Sequence, residues 1–137
     1  MILSESQPDA YAHLHTMGVT SDHYILDWWM TLFCRKLPLR LCTRIWDLYL
    51  VEGEIFLHKT AVALMKLHLR GLLHCADLEA SVKELCNPVE CEEEEFLALT
   101  DSVKVSAHWS AILERIQPSP RVSNRVRSRA GSPREEN

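Results

Sequence analysis

Histidine and cysteine are the residues of this chain best suited to bind a metal, yet their spacing fits no common metal site. The sequence has seven histidines and five cysteines but contains no C-x-x-C and no H-E-x-x-H. Pro88 interrupts the segment between Cys86 and Cys91. His74 and Cys75 are neighbours, and adjacent side chains on a helix cannot easily point at one ion. The spacing therefore predicts neither a metal site nor a bound cofactor.

A cysteine nucleophile activated by a histidine is the second chemistry that these residues could supply. No catalytic signature surrounds the cysteines, and most of them lie in apolar helical patterns, where a thiol is inert. His68 also lies on the apolar face of its segment, and we interpret it as a core or groove residue rather than a ligand. Because the chain has no glycine-rich phosphate loop either, the sequence predicts no catalytic residue. The odd number of cysteines and the absence of a signal-peptide pattern favour buried, reduced thiols: Cys34, Cys42, Cys75, Cys86 and Cys91.

The charge pattern divides the chain into a main part and a tail. A net charge of −4 gives no sign of a nucleic-acid or membrane-surface partner. Residues 118–137 are rich in arginine, serine and proline and have almost no apolar residues, so we predict a disordered linker there. The alternative is a contact site for acidic partners or anionic lipid, switched by phosphorylation of its serines: Ser123, Ser128 and Ser132.

The composition of the main part predicts an all-α fold. Hydrophobic residues make up 47% of the chain, there are only four glycines, and no segment alternates as a strand does. We predict one domain over residues 1–117, a bundle of about six or seven helices, with residues 1–7 frayed. The predicted helices cover residues 8–17, 22–35, 38–51, 54–74, 77–86 and 92–102, and a last helix follows Ser106.

The segment 22–35 is apolar on nearly every side, which is typical of a buried central helix or a membrane span. A span needs about 20 apolar residues, and this run is shorter and ends at Arg35 and Lys36. We therefore predict a buried helix, and no transmembrane segment. Pro38 suits the first turn of the next helix and disfavours helical backbone at the residue before it.

The segment 38–51 carries one apolar stripe, and Gly53 stands where a glycine would end its helix. Arg44 and Asp47 are three residues apart, so we predict a structural ion pair between them beside Trp46. We expect Trp46, like Trp28 in the preceding helix, to be largely buried.

The spacing of several residues between Trp28 and Gly53 resembles the second half of the TBC domain. TBC domains are all-helical and activate Rab GTPases. The chain has W-x-x-T-L-F, then L-P-L, then R-I-W-D and a following E-G. The residues that carry the resemblance, which we take as a structural motif of the family, are Trp28, Thr31, Leu32, Phe33, Leu37, Pro38, Arg44, Ile45, Trp46, Asp47 and Gly53.

The resemblance implies a Rab GTPase as partner and a role in vesicle traffic, but it brings no catalytic residue to this chain. TBC domains supply an arginine and a glutamine to the GTPase, from I-x-x-D-x-x-R and Y-x-Q motifs. Neither motif occurs here, and the only glutamines, Gln7 and Gln117, stand outside any Y-x-Q. A supplied arginine accelerates GTP hydrolysis roughly 10³–10⁵-fold. We therefore expect a fragment that is neither an enzyme nor, by itself, a GTPase activator.

Two other interpretations remain open at this stage. One is a non-catalytic helical interaction module that binds a small GTPase or another partner. The other is a truncated product without activity, whose exposed apolar surface leads to self-association. For each of them the expected location is cytoplasmic, with peripheral attachment to endomembranes as an option.

Overall fold

The computed structural model describes residues 2–116, and this part of the chain is all-α, as the composition predicts. Eight α-helices and one 3-10 turn follow one another here, joined by short connections. The helices are α1 (Ile2–Ser6), α2 (Pro8–Thr16), α3 (Ile25–Met30), α4 (Leu39–Glu52), α5 (Glu54–Leu72), α6 (Leu78–Cys86), α7 (Glu93–Asp101) and α8 (Ala107–Ile116), and the 3-10 turn is Ser21–His23. The predicted tail, residues 118–137, lies outside the described residues.

The central element of the fold is α5, not the helix before Pro38. It contacts six other helices, α1, α3, α4, α6, α7 and α8. Its buried residues surround most of the helix rather than forming one stripe: Phe56, Thr60, Ala61, Val62, Ala63, Leu64, Met65, His68 and Leu72. The Thr60 hydroxyl is satisfied within the helix, because it donates to the Phe56 carbonyl at 2.8 Å. The predicted buried helix over 22–35 is therefore wrong in its burial and extent, because α3 is shorter and exposes Leu26 and Met30, and the helix buried on most sides is α5.

The segment 22–35 is a short helix followed by a turn. After the 3-10 turn, α3 covers only Ile25–Met30. The Phe33 N–H donates to the Trp28 carbonyl at 2.8 Å, and the Leu32 N–H to the Trp29 carbonyl at 3.0 Å. This is the Schellman arrangement that ends a helix, usually with a glycine of positive φ. Here Leu32 (φ 45°) and Phe33 (φ 66°) take that conformation.

The first residues, which we expected to be frayed, form the helix α1, and neighbouring helices hold it in place. It packs against α2 and α5. At its end, the Glu5 carboxylate accepts a hydrogen bond from the Trp109 indole at 2.9 Å, which joins α1 to α8. This contact spans 104 positions in the chain, so no local pattern could predict it.

The predicted helix ends at Gly53 and Asp77 are confirmed. Gly53 has φ 80° and is the single residue between α4 and α5. A side chain at this φ is strained, which explains the glycine. The Asp77 carboxylate accepts the Ala80 N–H at 2.8 Å and so satisfies one free donor at the start of α6.

The C-terminal end of α6 is capped by side chains that come from α3 and its turn. The last carbonyls of a helix have no partner within it and carry partial negative charge. The Trp28 indole donates to the Leu85 carbonyl at 3.4 Å, and the Lys36 ammonium donates to the Cys86 carbonyl at 2.7 Å. The backbone carbonyl of Lys36 also accepts a hydrogen bond from the Val89 N–H at 2.7 Å. These bonds fix the turn against α6.

Lys36 is a buried cation that keeps a counter-ion. Its side chain is 3% exposed and its Nζ lies 3.1 Å from Asp27 Oδ2. The other Asp27 oxygen pairs with exposed Arg35 at 2.8 Å. A buried charge is tolerated when it is paired and hydrogen-bonded, and Lys36 has Asp27 as its counter-ion and the Cys86 carbonyl as an acceptor.

Replacing Trp28 with alanine should lower the free energy of unfolding by about 3–5 kcal/mol, because its side chain is wholly buried and caps α6. Chemical denaturation of the full chain measures this. The matched control is Trp29→Ala, since the neighbouring indole is 36% exposed and should cost less. Equal losses for the two variants would contradict the role assigned to Trp28.

Replacing Lys36 with methionine should cost about 1–3 kcal/mol, because the Cys86 carbonyl loses its donor while an apolar side chain of similar length remains. Arg35→Met is the control, since an exposed ion pair contributes at most about 1 kcal/mol. Denaturation midpoints of both variants provide the comparison. An unchanged midpoint for Lys36→Met would show that the ammonium does not stabilise the end of α6.

Candidate functional site

The motif residues in the first helical segment meet at the turn after α3. Trp28, Phe33 and Leu37 are buried in the core. The Thr31 hydroxyl donates to the Asp27 carbonyl at 2.7 Å, one turn back along the chain. Leu32 is 37% exposed, but its carbonyl accepts from the Trp46 indole at 3.1 Å. This hydrogen bond joins the part of the motif that lies in the turn to the part that lies in α4.

The motif residues in α4 divide between the core and the surface. Pro38 directly precedes the helix, and Ile45 is completely buried. Trp46 is partly buried and packs against the core. Its indole ring lies at the edge of the core, where the N–H can reach the Leu32 carbonyl. Asp47 is exposed on the same helix.

Arg44 pairs across the fold rather than along its helix, which corrects the predicted Arg44–Asp47 pair. Its Nε lies 3.8 Å from Glu93 Oε1, and Arg40 lies 3.7 Å from Glu92 in the same way. The two arginines are four residues apart and so lie on one face of α4, toward the acidic start of α7. All four side chains are substantially exposed, so these pairs contribute little to stability.

One side of α3 is apolar and open to solvent. Leu26 is 60% exposed and Met30 83% exposed, and Trp29 contacts His58 of α5 with a ring separation of 4.8 Å. Leu50 is 80% exposed and lies one turn after Trp46, whose indole binds the Leu32 carbonyl. We use the name α3–α4 apolar face for the exposed apolar residues of α3, its turn and α4, namely Leu26, Trp29, Met30, Leu32 and Leu50.

The α3–α4 apolar face is the feature of the described residues best suited to bind a macromolecule. Scattered exposed apolar residues are common, but a group of large ones is typical of an interaction surface. Met30 adds a flexible side chain that can adapt to different partners. The sequence shows that α3 is apolar on nearly every side, but only the structure shows which side stays exposed to solvent.

His68 lies in the core, as interpreted from the sequence, beside Trp28. The two rings are 6.1 Å apart and nearly parallel, and Nδ1 lies 3.6 Å from Glu84 Oε1. Burial lowers the pKa of His68, although the Glu84 carboxylate opposes this. Its Nε2 is buried with no hydrogen-bond partner among the described residues. Gly71 leaves room for Glu84, since a Cβ at position 71 would overlap the carboxylate.

A concavity of about 260 Å³ lies between α2 and the 3-10 turn. It is smaller than the roughly 300–1,000 Å³ typical of ligand pockets. Its lining is mostly apolar: Tyr11, Leu14, His15, Val19, Thr20, Ser21 and Tyr24. No motif residue borders it.

Residues 2–116 offer neither a metal site nor a helix that could span a bilayer. No group of three or more histidine, cysteine or acidic side chains in this part of the chain is placed to hold a metal ion. None of its helices combines the length and hydropathy that crossing a bilayer requires.

Comparison with known proteins identifies the family. The family model of the Rab-GTPase-TBC domain matches residues 1–73, which contain the whole motif and the α3–α4 apolar face. TBC1 domain family member 14 of Mus musculus is 31% identical over 125 residues, 88% of this chain and 18% of that protein. The Ecotropic viral integration site 5 ortholog of Drosophila melanogaster is 35% identical over 118 residues, 83% of this chain and 14% of that protein.

A third relative comes from another organism. Drainin of Dictyostelium discoideum is 38% identical over 76 residues, 52% of this chain and 17% of that protein. The chain thus spans less than a fifth of the length of these three relatives. The matched family model and the identity over most of the chain agree with the motif and with the all-helical fold. The chain belongs to the family of Rab-GTPase-TBC domain proteins.

Proposed function

We propose that this chain is the C-terminal part of a TBC domain and that its partner is a small GTPase of the Rab family. The observation that carries this proposal is the family match over residues 1–73, which includes an uncovered apolar face on α3 and α4. The activity associated with this family is activation of GTP hydrolysis in membrane traffic. Its site of action in that role is the cytoplasmic side of endomembranes, where the chain would be peripheral.

We further propose that the chain binds without activating. Catalysis by a GTPase activator depends on a supplied arginine that neutralises charge on the transferred phosphate. The 137 residues contain no I-x-x-D-x-x-R and no Y-x-Q. The three arginines around the motif are already engaged with carboxylates, Arg35 at 2.8 Å, Arg40 at 3.7 Å and Arg44 at 3.8 Å.

A second candidate function, a non-catalytic helical interaction module, is favoured by the same exposed face. Met30 and Leu50 are more than three-quarters exposed. Such a surface can be covered by a partner or by a second copy of the chain. The two candidates differ in the expected partner and not in the surface used.

In a single-turnover assay, the full chain should leave the rate of phosphate release from GTP-loaded Rab proteins at its intrinsic value. The reason is the absence of the arginine and glutamine motifs, which together with positioning account for a roughly 10³–10⁵-fold acceleration in a complete activator. A complete TBC domain with both motifs is the positive control. Acceleration that survives purification and disappears in Arg35→Ala, Arg40→Ala or Arg44→Ala would refute the proposal.

The α3–α4 apolar face should make the chain bind a hydrophobic dye and elute as larger than a monomer. Met30→Glu and Leu50→Glu should each weaken association about 10–100-fold, because covering a Met or Leu side chain contributes about 1.5–3 kcal/mol. Leu78→Glu is the matched control, since Leu78 is an exposed leucine of α6 and outside this face. A sharp monomeric peak with little dye binding would show that this face does not cause self-association. Binding of Rab proteins would then be measured with the same variants.

A further inference from the structure

His68 of α5 is a histidine of the core that contacts side chains from both α3 and α6. Its side chain is only 2% exposed. From α3, the Trp28 ring lies nearly parallel to the imidazole, with 6.1 Å between the ring centroids. From α6, Glu84 Oε1 lies 3.6 Å from the imidazole Nδ1. The imidazole is therefore located where three helices meet.

The hydrogen-bonding environment of His68 suits a neutral imidazole and not a cation. A neutral imidazole has one N–H donor and one acceptor nitrogen, whereas the cation has two donors. Nε2 is buried and has no hydrogen-bond partner among residues 2–116. In the neutral form this nitrogen can carry the lone pair, but in the cation it must carry a proton. Protonation would therefore leave a charged N–H in the core without an acceptor, which is far more costly than an unpaired neutral group.

Glu84 is the group that could compensate a charge on His68, but its position limits the compensation. The separation of 3.6 Å between Nδ1 and Oε1 is longer than the roughly 2.7–3.2 Å of a hydrogen bond. The Glu84 side chain is 30% exposed, so water weakens its attraction for a cation. Its other carboxylate oxygen accepts a hydrogen bond from the Asn87 amide at 3.1 Å. Glu84 therefore offsets only part of the cost of charging the imidazole.

Lys36 is the second charge that acts on His68, and it disfavours another cation. The ammonium is itself paired with Asp27 at 3.1 Å and donates to the Cys86 carbonyl at 2.7 Å. No other charged or titratable side chain of residues 2–116 lies within ion-pair or hydrogen-bond distance of the imidazole. Burial lowers the pKa of His68, the Glu84 carboxylate opposes this, and Lys36 adds to the lowering.

We infer that His68 is an acid-sensitive core residue, whose protonation weakens the packing of α3 and α6 against α5. In the unfolded chain the imidazole is hydrated and takes a proton near the ordinary histidine pKa of 6.5. In the native state it resists the proton, so below this pH the unfolded state binds more protons than the native state. The free energy of unfolding then falls as the pH falls through about 6.5, and it continues to fall until the native imidazole is itself protonated.

The location of His68 determines which contacts acid affects first. Trp28, which packs on the imidazole, also donates to the Leu85 carbonyl at the end of α6. Water reaches a charged imidazole only if α3 or α6 moves away from α5, because both helices contribute side chains that contact it. Acid therefore acts on the attachment of α3 and the end of α6. The inference does not depend on the proposed partner, because it concerns only groups within the chain.

Proton NMR of the full chain measures the protonation of His68 directly. The imidazole signals of the seven histidines are followed from about pH 8 to about pH 5, the range in which histidines titrate. The His68 signal is assigned by its absence from the spectrum of His68→Gln. It should titrate with a midpoint below the ordinary value of 6.5 while the chain is still folded. A midpoint at or above 6.5 would show that attraction to Glu84 outweighs burial, and it would overturn the inference without relying on the stability of any variant.

Chemical denaturation at about pH 7.5 and about pH 5.0 measures the effect on stability. Over this interval the folding equilibrium constant of the wild-type chain should fall by up to about 30-fold more than that of His68→Gln, the limit set by an unfolded-state pKa of 6.5. Burial also lowers the pKa of His58, but this contribution is common to both chains and cancels in the comparison. His74→Gln is the matched control, since it removes an exposed histidine and should keep the acid sensitivity of the wild-type chain. An equal fall for the wild-type chain and His68→Gln would overturn the inference.

Glu84→Gln separates the imidazole from its neighbouring carboxylate. This variant keeps an oxygen that can accept from Asn87 but removes the charge that favours a protonated His68. It should therefore lose at least as much stability as the wild-type chain between the two pH values. A smaller loss would assign the acid sensitivity to Glu84 instead and would overturn the inference.

Discussion

The position of α5 determines how the other helices are arranged. A helix that buries residues on nearly every side needs neighbours on every side, and six of the described helices supply them. The start of α5 is fixed by Gly53, which leaves one residue between it and α4. Its last turns pack on α6, where the Glu84 side chain occupies the space that a side chain at Gly71 would need. The remaining helices are therefore packed on a central helix whose two ends are both constrained.

The family motif can be understood as the part of this arrangement that connects α3 to the rest. Trp28 caps α6 together with Lys36, which is not itself a motif residue, while Leu32 and Trp46 join the turn to α4. Most motif residues thus fill the core or join one element to another, and Arg44 and Asp47 lie exposed on α4. None of these contacts performs chemistry. Their effect is to hold one apolar side of α3 at the surface, where a partner can reach it.

The sequence was sufficient to predict the elements whose signals are local. The helices from α4 to α7 begin and end within two residues of the predicted positions, because glycine, proline and capping residues mark their ends. The prediction failed where the outcome depended on distant contacts. The central role of α5 is not evident from its sequence, because the helix contains Lys59 and Lys66. Both are only partly buried, and long charged side chains can reach water from such positions. Arg44 pairs with Glu93 rather than with Asp47. The burial of Lys36 depends on the Cys86 carbonyl, which is 50 positions away along the chain and which no spacing rule reveals. The sequence predicts that the segment containing α3 is apolar, but which of its sides stays exposed depends on how the other helices pack.

The positive φ angles of Leu32 and Phe33 have a consequence for the order in which the fold forms. A left-handed conformation costs a non-glycine residue about 1–2 kcal/mol, so an isolated peptide of this sequence has no reason to adopt the turn. The compensation comes from burial of Phe33 and from the bond between the Leu32 carbonyl and Trp46, which both require α4 and the core. The turn is therefore a product of assembly rather than a nucleus for it. The direction of α3 therefore depends on contacts with α4 and the core, and so does the choice of which side of α3 stays uncovered.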